Sequence, residues 1–320
     1  MLRRTLLLAV PATALAAQAQ AQAQPRSTRL VVSFTPGGPV DAVARIIAEP
    51  LSRELGRTVI VDNKPGANGA IGAIDVAKSP PDGSTLWFTS VGAAAVNQAL
   101  YDKLPYDMQR DFAPVSLVVN NVELLVVQAS DPAQDAASFV AATKERADPT
   151  PMGSSGTGSI PHLAIEQLAD ATGAHLIHIP YKGAAPAITD LMGGQIKGFF
   201  GDVPGLLGHV QGGRLKALGV ASARRHPSLP EVKTLEEQGI HGVDTNNWYA
   251  LYAPKKTPPE VIEALNQALR RALEQPAVRD KLLKAGTEPA PSTPQALARL
   301  QQDDARKWAR LVKAKNIKAE

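Results

Sequence analysis

The sequence predicts an α/β protein of two lobes with mainly parallel strands. Short apolar runs alternate with helix-period patterns from Arg29 onward. Small-residue loops recur where a strand gives way to a helix. A chain of 320 residues, 44% of them hydrophobic, also suffices to bury two medium cores.

Arg29 to Phe34 reads as a buried strand, followed by a glycine turn and a helix whose face carries Val43, Ile46, Ile47, Leu51 and Leu55 and which stops at Gly56. Pro50 is expected to bend that helix. Thr58 to Val61 is the next strand, a helix spans about Asn68 to Lys78, and Thr85 to Thr89 is a strand. Val122 to Gln128 opens a second set of units: a helix around Ala136 to Arg146, the strand Leu176 to Ile179, a helix from Pro186 to Met192, and strands at Ile196 to Phe200 and Leu215 to Val220. After Ala221 comes a loop rich in Arg, His and Pro, then a strand from Trp248 to Ala253. The remainder is helical, with Val261, Ile262, Leu265, Leu269 and Leu273 forming a stripe that suits a wrap over the first lobe. A chain that leaves the first lobe near Val122 and returns near Ala221 makes that lobe discontinuous, and two crossings make a hinge.

The N-terminus has the layout of a secretory signal peptide: Arg3 and Arg4, an apolar stretch from Leu6 to Ala17, and A-x-A registers in an Ala/Gln tract, with cleavage placed near Ala23. The apolar stretch is too short for a permanent membrane anchor. The absence of cysteine excludes disulfides, thiol catalysis and a cysteine-linked lipid. Formal charge is +4, two units of it from the leader arginines, too little to argue for nucleic acid. The basic run from Lys307 to Lys318 carries Trp308, Leu311 and Val312 at helical spacing and reads as the solvated face of a last helix.

Two loops carry the chemistry. Thr35-Pro36-Gly37-Gly38-Pro39-Val40-Asp41 offers close-approach backbone and a helix N-terminus, which together favour an anion. It lacks the Gly-Lys-Ser/Thr of a phosphate loop and the G-x-G-x-x-G of a dinucleotide site. Asp41 stands where it can cap the helix, so a plain capped turn is an equally simple reading. Gly153-Ser154-Ser155-Gly156-Thr157-Gly158-Ser159 adds hydroxyls and a second helix start, suited to a carboxylate or phosphate. A serine nucleophile at Ser154, Ser155 or Ser159 competes, but the G-x-S-x-G elbow is absent and the only nearby His, His162, lies just downstream, so it is read as a positioning residue. Ser90 to Asn97 supplies a third small-residue loop at a strand end. Asp202 either accepts from a ligand or orders water in the cleft, or caps the helix at Gly205 to Val210. The six His show no metal spacing, and His175 and His178 read as structural. Lys182, at a turn, reads as exposed by default.

These loops, in this order, resemble the Bug family, the extracytoplasmic binding proteins of tripartite tricarboxylate transporters. The matching residues include Val32-Ser33-Phe34-Thr35-Pro36-Gly37-Gly38 through Asp41, Val61-Asp62-Asn63-Lys64-Pro65-Gly66-Ala67, Pro81-Asp82-Gly83 and Gly153-Ser154-Ser155-Gly156. They continue through Ser159-Ile160-Pro161-His162-Leu163, Tyr181-Lys182-Gly183, Gly193-Gly194-Gln195-Ile196, Phe200-Gly201-Asp202 and Leu218-Gly219-Val220. The resemblance implies a type II periplasmic-binding-protein fold, two α/β lobes joined by two crossover strands around a central cleft. The expected layout is a leader at 1–23, a first lobe from 24–122 plus 222–320, and a second lobe from 123–221. It further implies a periplasmic monomer that grips a small carboxylate through amides, hydroxyls and ordered water rather than through arginine. The expected binding set is Phe34, Thr35, Gly37, Gly38, Asp41, Ser90, Ser154, Ser155, Gly156, Thr157, Ser159, His162 and Asp202, with no catalytic residue, cofactor or metal. The expected partner is the permease of such a transporter or else a membrane sensor. Thr35, Pro39 and Asn68-Gly69-Ala70 depart from the family's pattern and alter the cleft wall, so ligand identity does not carry over.

Overall fold

The computed structural model describes residues 27–243 and 245–319. The expected leader at 1–23 lies outside the described residues.

The first lobe opens with β1 (Ser27–Val32), α1 (Pro39–Leu55), β2 (Thr58–Asn63), α2 (Ala70–Ala77), β3 (Thr85–Ser90), the short helices α3 (Asn97–Leu100) and α4 (Met108–Asp111), and β4 (Phe112–Asn121). The second follows with β5 (Glu123–Gln128), α5 (Ala136–Lys144), β6 (Thr150–Ser154), α6 (Ile160–Thr172), β7 (Leu176–Pro180), α7 (Ala184–Met192), β8 (Gly198–Asp202), α8 (Val203–Gln211) and β9 (Leu215–Val220). The chain then re-enters the first lobe with β10 (Asn247–Pro254), α9 (Pro259–Glu274), α10 (Pro276–Lys284), β11 (Glu288–Pro289) and α11 (Pro294–Ala314).

The two sheets share one plan. The first runs β11-β4-β10-β3-β1-β2 and the second β7-β6-β8-β5-β9, so each has a parallel trio continued by one strand of opposite sense. In both cases that reversed strand is the one the chain enters on crossing: β5 pairs antiparallel with β8 and β9, and β10 with β3 and β4. The expectation of mainly parallel strands is therefore corrected at the centre of each sheet. This is the type II periplasmic-binding-protein fold, with crossings at Val122 and before Asn247. Residues 222–243, which the expected boundary gave to the first lobe, contribute Leu235, Ile240 and Val243 to the core of the second.

Both sheets are buried on both faces, so the strands alternate between two cores rather than between core and water. Leu30 and Val32 join α1 and α9 on one side of the first sheet, whereas Val31 and Trp87 join α2 and α11 on the other. In the second, Leu125 and Val127 face α5 and α6, and Leu124 and Val126 face α7 and α8. The apolar stripe of α9 packs on α1, and Trp308 of α11 seats on the opposite face, so the C-terminal helices do wrap the first lobe.

Local departures have local causes. Helix α1 continues through Pro50, which is buried, and ends with Gly56 in the left-handed region. The expected helix from Asn68 instead begins as a 3-10 turn in which Ala67 and Asn68 both have positive φ, 49° and 45°. Two consecutive non-glycine residues held there are strained, and Asn68 is fixed by donating to Asn97 Oδ1 at 2.9 Å. Strand β8 starts two residues later than the apolar run beginning at Ile196 suggested.

Candidate functional site

The lobes meet over the loops expected to bind ligand. Ile160 and Leu163 of α6 pack into a first-lobe core with Trp87, Trp248 and Trp308, and Lys315 pairs with Asp170 across the cleft. A Cβ on Gly183 would sit 2.5 Å from Thr35 Oγ1, so the two jaws touch at a residue with no side chain to spare. The structure is closed.

Inside this contact is an enclosed cavity of about 20 Å³, room for one water, lined by Phe34, Gly38, Ser90, Ser155, Ser159 and Asp202 among others. Four helix N-termini converge on it: α1 through Gly38, Pro39 and Val40, α6 through Ser159 and Ile160, α7 through Ala184, and α8 through Asp202. Three of these ends have no side-chain cap. Their first-turn N–H groups and dipoles therefore present positive potential to one point, although no Lys or Arg lines it. A wider cavity of about 390 Å³ forms the mouth, lined by Phe34, Asn68, Ser155, Gly156, Thr157 and Lys182 among others. Of the expected binding set, Phe34, Gly38, Ser90, Ser155, Gly156, Thr157, Ser159 and Asp202 line one cavity or the other.

The remaining members line neither cavity. Gly37 uses a left-handed φ of 77° to turn the loop, and its N–H donates to Asp41 Oδ2 at 2.9 Å. Asp41 also accepts from Arg45 Nε at 2.9 Å and, through Oδ1, from Asn63 Nδ2 at 2.9 Å. Burial pushes its carboxyl up, but the bonds from Arg45, Gly37 and Asn63 together outweigh it and hold Asp41 below the usual range. Its carboxylate is thus consumed in pinning the loop to α1 and β2 rather than offered to the cleft. Thr35 meets the opposite jaw, and its buried Oγ1 has no hydrogen-bond partner among the described residues.

The second loop is pinned by serine and histidine side chains. Ser154 is fully buried; its Oγ accepts from Gly156 N–H at 3.1 Å and shares a 2.6 Å hydrogen bond with His178 Nε2. His162 Nδ1 accepts from Gly158 N–H at 3.0 Å, and its ring stacks on His178 at 3.7 Å and 10°. Burial, with the neighbouring His162 second, pushes His178 down to about 3, so it stays neutral. Ser154 and His162 therefore shape the loop from beneath. The serine-nucleophile alternative finds no support at Ser154, which is inaccessible and meets His178 rather than His162. Ser159 instead caps α6, its Oγ accepting from His162 N–H at 3.4 Å.

Asp202 stands at the N-cap position of α8 but does not cap it. Its oxygens instead accept from Asn247 Nδ2 at 2.9 Å and Tyr249 OH at 2.5 Å, both on the returning strand β10. Asn247 also donates to Glu123 Oε1 at 3.3 Å, at the outgoing crossing. Two buried carboxyls thus share the hinge. Desolvation raises both: Asp202 goes up to about 6, and Glu123 goes well above its usual value with the Asp202 charge as second cause. The second oxygen of Glu123, Oε2, is buried with no hydrogen-bond partner among the described residues. The sequence reading missed Glu123, Asn247 and Tyr249, and Ala184 of α7, because an isolated Glu at a strand start and an Asn-Trp-Tyr strand carry no motif. The one available signal was that Glu123 interrupts an apolar run that begins at a crossing.

Comparison with known proteins agrees with this geometry. Residues 43–317 match the tripartite tricarboxylate transporter family receptor. The chain is 35% identical over 294 residues to the protein BugT of Bordetella pertussis, covering 92% of this chain and 90% of that one. Its fold superposes on MatC of Rhodopseudomonas palustris with bound malate at a TM-score of 0.84, with 31% identity over 90% of this chain and 99% of that one. It superposes equally on an R. palustris protein with adipate at 0.88, with 33% identity over 91% and 98%. Sequence and fold agree: the chain belongs to the receptor family of tripartite tricarboxylate transporters, the Bug proteins.

Proposed function

We propose that this protein captures a small carboxylate-bearing metabolite in the periplasm by hinge closure and delivers it to a tripartite tricarboxylate-type membrane transporter. The observation that carries this reading is the convergence of four helix N-termini, drawn from both lobes, on one enclosed cavity lined by no Lys or Arg. Such a site favours a carboxylate over a cation, and it exists only when the lobes are together. Closure is then driven by the ligand's better fit to the closed state. The malate and adipate held by related proteins belong to the same chemical class. The proposed contacts are the backbone N–H groups of Val40 and Ala184, with the hydroxyls of Ser90, Ser155 and Ser159. Phe34, Thr157 and Asp202 complete the wall, while Gly37, Asp41, Ser154 and His162 hold the loops. Export through the leader at 1–23 places the mature chain in the periplasm, and among the described residues no helix is long and apolar enough to cross a membrane.

The mature chain, unfolded and refolded to strip any retained ligand, is to be melted in the presence of di- and tricarboxylates, acidic amino acids and aromatic acids. One class should raise the melting point, since a ligand at a hundred times its Kd adds about 2.7 kcal/mol. A flat response across the panel would defeat the proposal. Uptake of the responding acid in a deletion strain separates delivery to a transporter from signalling to a membrane sensor.

A further inference from the structure

A second cavity outside the cleft lies at the hinge itself. It measures about 430 Å³, shares no lining residue with the inner cavity or its mouth, and is built by the segments that connect the lobes. Asn120 and Asn121 come from the end of β4, Ser222 to Pro227 from the chain leaving β9, Asn246 from the approach to β10, and Glu288 from β11. Asn246 lines this cavity and Asn247 the inner cleft cavity, so consecutive residues of the returning crossing serve different cavities.

Its chemistry is mixed and partly unspent. Asn121 is 2% exposed, and its Oδ1 accepts from Thr287, but its Nδ2 has no partner among the described residues. A buried donor left so is costly, and an acceptor brought in beside it removes the cost. Arg224 is exposed, and its guanidinium makes no hydrogen bond or ion pair among the described residues, whereas the neighbouring Arg225 is held by Glu237 at 2.8 Å. Glu288, the register partner of Asn120, supplies a carboxylate, and burial keeps His226 below its usual value and neutral. The pocket therefore offers one free cation and one amide donor for an acceptor group, and one carboxylate for a donor group.

We propose that this hinge pocket is a second ligand site, taking a small amino or hydroxy acid whose carboxylate meets Arg224 and Asn121 and whose amine or hydroxyl meets Glu288. Because its walls are the crossings, its shape changes with the angle between the lobes, and an occupant biases opening or closure. Coupling of that kind is reciprocal: whatever factor the hinge ligand applies to cleft affinity, the cleft ligand applies to the hinge.

Calorimetric titration of the mature chain with L-glutamate, L-malate and succinate tests this, using Gly183→Val to obstruct the cleft and Arg224→Ala and Glu288→Ala to alter the pocket. L-Glutamate or L-malate is expected to bind the Gly183→Val protein at millimolar or lower concentration and to bind about tenfold more weakly after Arg224→Ala. Succinate, which lacks the donor, should bind more weakly than either and lose least from Glu288→Ala. No binding of L-glutamate or L-malate to the cleft-obstructed protein, or binding that Arg224→Ala leaves unchanged, overturns the proposal. Neither result bears on the cleft, whose ligand is read from the unmodified chain.

Discussion

The two jaws are the same device held by opposite means. In the first lobe, the loop after β1 is clamped by a buried charge, Asp41, tied to Gly37, Arg45 and Asn63. In the second, the loop after β6 is clamped without a carboxylate, by Ser154 on His178 and His162 on Gly158. Asp41 is held down and stays ionised, while His178 is held down and stays neutral, so neither of these two groups changes charge near neutral pH. The titratable element sits between them, in the Glu123–Asp202 pair. Rigid jaws thus flank a hinge that still responds to protons.

The comparison breaks most completely if the jaws cannot meet. Gly183→Val places a side chain against Thr35 at a residue whose φ is 144°, and it is expected to lower affinity for the responding carboxylate at least a hundredfold, about 2.7 kcal/mol. The melting point without ligand should move far less, because each lobe keeps its own cores; a variant that binds normally would show that closure does not need this contact. Asp41→Ala should act on the first jaw alone, costing on the order of 1–3 kcal/mol of stability through the orphaned Gly37 and Asn63 donors and weakening binding about tenfold. Ser154→Ala, its counterpart, removes a neutral bond and should cost about 1 kcal/mol. Equal losses from the two variants would erase the distinction between the jaws.

The hinge pair gives a smaller, pH-dependent effect. Asp202 is raised in the folded state, so its contribution is fully present below about 4 and is lost as pH rises through about 6. His178, lowered in the folded state, tilts the other way as pH falls through its usual value, so the informative quantity is a difference. The stability of the unmodified chain minus that of Asp202→Asn should fall by on the order of 2 kcal/mol between pH 4 and pH 7, read by denaturant titration. A constant difference would show that Asp202 does not titrate there. The least effect is expected from Asp170→Ala, which removes the exposed pair with Lys315 between the lobes. Its cost to ligand affinity should stay within about 1 kcal/mol and vanish at high salt.

Much of this was legible in the residues. Leu30 to Val32 and Thr85 to Ser90 are fully apolar or small and could only be buried strands, and both glycine-bearing loops announced helix starts. The reversed central strands were not legible, because direction in a sheet is fixed by where a strand is inserted and not by its own composition. Strand β4 was missed for a related reason: Pro114, Ser116, Asn120 and Asn121 dilute its apolar run, and its burial depends on β10 and α11 arriving from far along the chain. Within the site, backbone N–H donors and the positioning part of His162 were foreseeable, but the work of Asp41 and Ser154 behind the loops was not. A side chain's direction depends on partners such as Asn63 and His178 that only folding brings near.

The placement of β10 between β3 and β4 also sets an order in time. The second lobe, residues 123–243, is one continuous stretch and contains every strand of its own sheet, so it can assemble as soon as that stretch is available. The first lobe cannot: β3 and β4 each hold an unpaired edge until Asn247–Pro254 arrives, a whole lobe later. The half that begins first is therefore finished last. During that interval its apolar strand edges are what a chaperone would have to shield.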